Sequence, residues 1–214
     1  KYWWAIAYPL LLFGLFFTFS RTVIFLWVAG FLTVAALISV KSRFREKFWR
    51  NTALKIKIVQ IVAVTVLVVI LFGTFYWSEA VSRIKISSGE EAVQLRIFYN
   101  KESLKSLNWF GVGSGNFVNW LMVKDPNLPR NLYQPVHNIY LLILSENGIL
   151  GLAVFGMFLI LLVRDFILRT KLERFYHYSA LLIFLSFLFM GAFDHFLWTL
   201  QQGRLMLWLL CAGL

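Results

Sequence analysis

The chain has 214 residues, 60% of them hydrophobic and 18% aromatic, with only 14% charged and a mean hydropathy of +0.72. Soluble domains average about 45–50% apolar and about 25% charged residues, so the composition excludes a soluble globular domain and points to an all-α polytopic membrane protein. The net charge of +11 does not imply a nucleic-acid partner, because the basic residues lie between apolar runs, where the positive-inside rule places them.

The first apolar run covers residues 3–19, with Pro9 inside, and is just long enough to span a bilayer. Ser20 and Arg21 interrupt it, and residues 22–40 form a second span without a charge. Residues 41–57 hold seven Lys/Arg against one Glu, and residues 58–77 are a third span rich in Val and Ile. The 59-residue polar stretch 78–136 follows, with seven basic and five acidic residues. Residues 138–163 form a fourth span, 178–193 a short fifth and 196–214 a sixth, with residues 164–177 net positive between the fourth and fifth. The sequence therefore divides into three transmembrane helices (1–77, with a basic loop at 41–57), an external loop (78–136) and three C-terminal transmembrane helices (137–214). The basic excess puts 41–57 in the cytoplasm, and alternation puts 164–177 on the same side. Arg21, the long loop, His137 and the Asp194–His195 corner then share the outer face. The chain opens at Lys1 straight into an apolar run and closes inside another, and is expected to be the C-terminal fragment of a larger protein.

Inside the long loop, Ser88 and Glu91 match a capping box, and Ala92, Leu95 and Tyr99 recur at helical spacing. An amphipathic helix is expected over 90–107. Its apolar stripe slips at the polar Ser103 and resumes at Leu104 and Leu107. Gly111, Gly113 and Gly115, with Asn116 after them, form a run suited to a tight turn that brings backbone N–H groups close to a ligand. It lacks the Lys and Ser/Thr that complete a P-loop. A short helix is expected over 117–123, and Pro126, Pro129 and Asn131 mark a turn.

The stretch 135–152, PVHNIYLLILSENGILGL, organises the rest. Pro135 suits the start of a helix, His137 and Asn138 stand at its mouth, and Glu146, Asn147 and Gly148 lie part-way along. Ionisable residues within a membrane segment are expensive and read as functional-site candidates. Two readings stand for His137: a general base, since its free pKa near 6.5 suits the task, or an interfacial helix-start residue. Arg96 is either a guanidinium clamp on phosphate or a solvated charge on the loop helix. Arg21 either lines a polar cavity or snorkels to headgroups. Glu146 either partners an arginine or lies in the protruding turns of a long helix. Asp194, His195 and Gln202 either close a polar pocket or are ordinary loop residues. No Cys/His cluster has zinc-ligand spacing, and no metal or cofactor is expected.

Taken together these stretches resemble the O-antigen ligase and polymerase superfamily. Ser20–Arg21 opens an apolar helix. Arg96 precedes GVGSGNF at 111–117, and HNIYL (137–141), ENGILGL (146–152) and DHFLWTLQQG (194–203) follow in the family's order. The resemblance implies a metal-independent glycosyltransferase of the GT-C type in the plasma (inner) membrane of a bacterium. Such an enzyme moves a glycan from an undecaprenyl-diphosphate carrier to a hydroxyl of a glycan, lipid-core or protein acceptor on the outer, periplasmic face. It further implies His137 as general base and Arg96 and Arg21 as diphosphate ligands. Gly111, Gly113, Gly115, Asn116, Asn138, Glu146, Asp194, His195 and Gln202 would support them. Family members have more spans than the six read here, so the missing helices would complete the cavity. Ligase, repeat-unit polymerase and protein O-oligosaccharyltransferase share this chemistry. The non-enzymatic competitor is a lipid-linked glycan transporter, which would show internal repeats with matching broken helices, and none is seen in the sequence.

Overall fold

The computed structural model describes residues 3–40, 46, 49–84, 91–170 and 175–214. Among these residues every regular element is helical. The chain forms two compact units, Lys1–Ile86 and Ser87–Leu214, so the part of the polar stretch from residue 87 onward shares a unit with the C-terminal helices. The Ser88 cap and residues 41–45, 47 and 48 of the basic loop lie outside the described residues.

The first unit contains α1 (Trp3–Phe17), α2 (Arg21–Val40) and α3 (Thr52–Ile84). The first helix stops at a turn in which Phe19 takes a positive φ of 48°. Ser20 then starts the second, its hydroxyl accepting the Val23 N–H at 3.4 Å. Leu12 and Phe16 of α1 pack against Val68 and Phe72 of α3, with the Phe16 and Phe72 rings stacked at 5.3 Å. The helix α3 begins within the basic stretch, where the Asn51 side chain accepts the Leu54 N–H at 3.0 Å, and it continues to Ile84, past the expected end at 77. The boundary of the apolar run is marked only by a kink at Tyr76. Charges end a span, but they do not end a helix when the residues beyond them are tolerant of helical geometry.

The second unit contains α4 (Glu91–Lys105), α5 (Phe117–Lys124), a 3-10 turn (Arg130–Leu132), α6 (Ile139–Thr170), α7 (Phe175–Gly191), α8 (Phe196–Thr199) and α9 (Gln201–Gly213). One core cluster gathers Tyr99, Phe117, Leu121, Val136 and Leu142, from the loop elements and the start of α6. The other joins Ile143, Phe155 and Leu159 of α6 to Phe184 of α7 and Leu207 of α9.

Arg21–Val40, Thr52–Ser82 and Ile139–Thr170 are long and apolar enough to cross a membrane. Phe25, Leu32, Val59 and Ile70 are exposed along the first two, a surface that a water-soluble protein rarely bares. The chain is a membrane protein.

Two expectations are corrected. The expected sixth span, 196–214, is not one helix. Leu200 is extended (φ −88°, ψ 139°) and separates α8 from α9, whose 13 residues reach only about 20 Å against a hydrocarbon core of about 30 Å. The loop helix keeps a straight stripe rather than a slipped one. Tyr99, Ser103 and Ser106 are buried, whereas Leu104 and Leu107 are exposed. Ser103 fits because its hydroxyl donates to the Asn100 carbonyl at 2.9 Å, and that of Ser106 to the Ser103 carbonyl at 2.6 Å. Hydroxyls satisfied inside their own helix can face a core.

Candidate functional site

The mouth of α6 is built by Asn138. Its side-chain oxygen accepts the N–H groups of Tyr140 at 2.9 Å and Leu141 at 3.1 Å, the pattern of a helix N-cap. Val136 is fully buried just before it, so the chain enters the helix from an anchored position. Between these two anchors His137 is half-buried, and its Nδ1 has no hydrogen-bond partner among the described residues although it is out of solvent. Its ring lies 6.0 Å from that of Tyr99 and 4.9 Å from that of His195, centroid to centroid. Tyr99 is itself held by its hydroxyl, which donates to the Leu132 carbonyl at 2.7 Å.

His195 and Asp194 come from the turn between α7 and α8. A carboxylate oxygen of Asp194 accepts the N–H groups of His195 at 2.7 Å and Phe196 at 3.3 Å. The His195 Nδ1 pairs with the Thr199 hydroxyl at 2.6 Å, and that hydroxyl also reaches the His195 carbonyl at 3.2 Å. One arrangement of hydrogens satisfies both contacts: Nδ1–H donates to Oγ1, and Oγ1–H donates to the carbonyl. That leaves Nε2 of His195 as its basic nitrogen. A ligand atom from each of His137, Asp194 and His195 lies within 4.8 Å of the other two. Alternation of the spans puts His137 and the Asp194–His195 corner on one face, but their approach to within ligand distance depends on how separate helices pack and has no local sequence signal. The one local signal at the site was the four-residue step from His195 to Thr199, which places both on one side of a helical turn.

Burial pushes the His137 imidazole below its usual pKa, the neighbouring His195 and Arg96 push the same way, and Asp194 opposes them. Burial also lowers His195, again against Asp194. Both rings are therefore biased toward the neutral form. Arg96 is exposed on α4, one turn before Tyr99, and near enough for its charge to bear on His137. Arg21 lies in the first unit, in the first turn of α2 after Ser20. Gln202 is exposed on the first turn of α9.

The glycine run plays a part that the sequence did not suggest. Gly148 has φ 72° and ψ −172°, a region essentially closed to other residues, and it breaks α6. A continuous helix would bond Ile149 N–H to the Ser145 carbonyl and Leu150 N–H to that of Glu146. Both bonds are opened, and the loop fills the gap. Val112 N–H donates to the Ser145 carbonyl and Gly113 N–H to that of Glu146, each at 2.9 Å, while Ile149 and Leu150 donate to the carbonyls of Asn108 at 3.1 Å and Trp109 at 3.3 Å. Gly111, at φ 76°, must be glycine, since a Cβ there would lie 2.2 Å from the Glu146 carbonyl oxygen. The buried Glu146 carboxylate accepts the Phe117 N–H at 3.4 Å, at the start of α5. Asn116 is exposed, and its side chain accepts from Asn119 at 3.1 Å. Thus Gly111, Gly113 and Glu146 join the loop to α6, and the N–H groups expected to face a ligand are largely engaged within the protein. The sequence also did not reveal Glu102, buried between Lys105 and Lys124, the latter at 2.7 Å, which ties α4 to α5.

As a chemical device the mouth of α6 offers an imidazole biased toward the neutral form with a nitrogen unpartnered among the described residues, a guanidinium within electrostatic reach, and a His–His–Asp group able to hold a metal ion. Compared with known protein families, residues 6–156 match the model described as O-antigen ligase. That range contains Arg21, Arg96, the glycine run, His137 and Glu146, and stops before Asp194 and His195. The comparisons with curated proteins and with solved structures gave no match.

Proposed function

The chain belongs to the O-antigen ligase family, and from that membership we propose that it transfers a glycan from an undecaprenyl-diphosphate carrier to an acceptor hydroxyl at the outer face of the bacterial plasma membrane. His137 takes the proton of the acceptor hydroxyl as the oxygen attacks the anomeric carbon. The bond from that carbon to the diphosphate breaks, and the lipid diphosphate leaves. Attack opposite the leaving group inverts the anomeric centre. A diphosphate is already a good leaving group, so it needs its growing charge stabilised more than it needs a proton. Arg96 serves that role through forked, permanently charged contacts, and the family resemblance alone assigns Arg21 to the same task.

The observation that carries this reading is the His137 imidazole. It is held between two anchored residues at the mouth of α6, keeps a nitrogen without a partner among the described residues, and is biased toward the neutral form by burial, with the Arg96 charge close by. The test is donor turnover by the full protein, reconstituted with a purified undecaprenyl-diphosphate glycan and a lipid-core acceptor. His137→Ala should slow turnover by roughly 10²–10⁴, the range for a lost acid–base group, while donor binding persists. Near-normal turnover in His137→Ala would overturn the assignment and leave His137 a helix-start residue.

A further inference from the structure

We infer that His137, His195 and Asp194 form a capture site for a divalent transition cation of the zinc class, and that filling it silences the base. The geometry is that of a site one step from closure. One ligand atom from each residue lies within 4.8 Å of the other two. Zinc bonds of about 2.0–2.2 Å in tetrahedral array need ligand atoms about 3.3–3.5 Å apart. Small side-chain rotations of the two rings and the carboxylate cover that difference.

Two features show that the group is prepared for an ion rather than merely crowded. First, its outer contacts are those that fix metal ligands. Metal-binding histidines usually donate their second ring nitrogen to an oxygen, which sets the tautomer and the ring plane. His195 does so through Nδ1 to Thr199 at 2.6 Å, keeping Nε2 for a ligand. Asp194 is oriented through the N–H groups of His195 and Phe196 on one oxygen, leaving the other available. Second, the His137 Nδ1 is buried without a partner among the described residues. A buried nitrogen left unsatisfied costs free energy, and a cation would remove that cost. Two imidazoles and one carboxylate favour zinc, copper or nickel over magnesium or calcium, which take oxygen ligands.

The consequence for activity rests on the proposed role of His137 as base, but the binding does not. A ring nitrogen engaged by a cation cannot accept the acceptor's proton. Turnover would stop while the lipid-linked donor still bound.

The experiment uses the full protein in detergent with cobalt(II) as the spectroscopic probe. The expected result is saturable binding of about one ion per chain, with the visible bands of low-coordinate cobalt, bleached by zinc and unaffected by magnesium. His195→Gln and Asp194→Asn should each weaken binding at least about tenfold. His195→Cys, which supplies another zinc ligand, should restore it and so separate a lost ligand from a lost fold. Zinc at the same concentrations should inhibit glycan transfer, and chelation should reverse the inhibition. Absence of saturable cobalt binding, or binding unchanged in His195→Gln and Asp194→Asn, would overturn the site. Binding through these residues with undiminished turnover would leave the site standing and overturn the silencing, and with it His137 as base.

Discussion

Replacing Gly148 with alanine tests whether the broken helix and the glycine loop are one structure. At φ 72° and ψ −172° an L side chain is strained by about 1–3 kcal/mol whatever the space around it. Space is also lacking, since the new Cβ would lie 2.3 Å from the Trp109 carbonyl oxygen. Relief requires the loop to move off α6, which breaks the bonds from Ile149 to Asn108 and from Leu150 to Trp109. At about 0.5–1.5 kcal/mol each, those two losses add about 1–3 kcal/mol. The combined cost is about 2–6 kcal/mol, or a Tm lower by roughly 4–24 °C for a chain of this size. The assay is tryptophan-fluorescence melting of the full protein in detergent, together with limited proteolysis, because an undocked loop should be cut near residues 108–116. Gly156→Ala is the control. It lies in the same helix with nothing within 4 Å of the added carbon, and alanine there should be neutral or stabilising by up to about 1 kcal/mol. A Gly148→Ala protein that melts with wild type and resists protease would refute the reasoning.

Transfer should rise with pH through the His137 titration, and because burial, His195 and Arg96 hold that pKa below 6.5, the acidic limb should have its midpoint below 6.5 and be flat above it; a midpoint at or above 6.5, measured with a chelator present, counts against His137. Arg96→Ala should raise the donor KM and Arg96→Lys should recover only part of the loss, because an ammonium cannot make the forked contact; full recovery by lysine would remove the diphosphate role. Glu102→Gln should lower stability at pH 7 by about 1–2 kcal/mol, the low part of the range for charged hydrogen bonds since both lysines keep water contact. Burial raises the Glu102 carboxyl, but Lys105 and Lys124 outweigh it and hold the pKa below 4.5. The contribution is therefore present above about pH 4.5 and fades as pH falls through the lowered value, so melting curves of wild type and Glu102→Gln should converge in acid.

Much of the fold was legible because apolar runs of span length leave few alternatives. Helices expected at 22–40, 90–107 and 117–123 occur as Arg21–Val40, Glu91–Lys105 and Phe117–Lys124. The start of α6 was marked by Asn138, whose side chain makes the cap, whereas Pro135, expected at the entry, lies three residues before that cap and outside the helix. What escaped the sequence was non-local. A glycine in an apolar run reads as a tolerated helical residue, and nothing in positions 146–152 says that the backbone turns at Gly148, because the partners that permit the turn are Asn108 to Gly113. Leu200 carries no breaker signal. The break there depends on α9 packing closely on α8, where a Cβ at Gly203 would lie 2.1 Å from the Phe196 carbonyl oxygen. His195 was a candidate by type, but its proximity to His137 is set by the packing of α7 on α6, which Tyr140 pins by donating to the Leu188 carbonyl at 2.7 Å.

The docking of the loop also changes which groups are available to a diphosphate. A glycine run rich in positive φ angles is a natural anion nest when its N–H groups point together into open space. Here the N–H groups of Phe110 and Gly111 go to the Asn108 side chain, those of Val112 and Gly113 to α6, that of Asn116 to Gly113, and that of Phe117 to Glu146. Backbone groups freed by a break in a helix need partners, and this loop supplies them at the break in α6. Within it Gly111 serves the close approach of the loop backbone to that of α6. Under the proposed function, negative charge on the lipid-diphosphate donor would then be met chiefly by side chains, which shifts the burden onto arginine and makes the Arg96 substitutions a sharper probe of donor recognition than any change in residues 111–115.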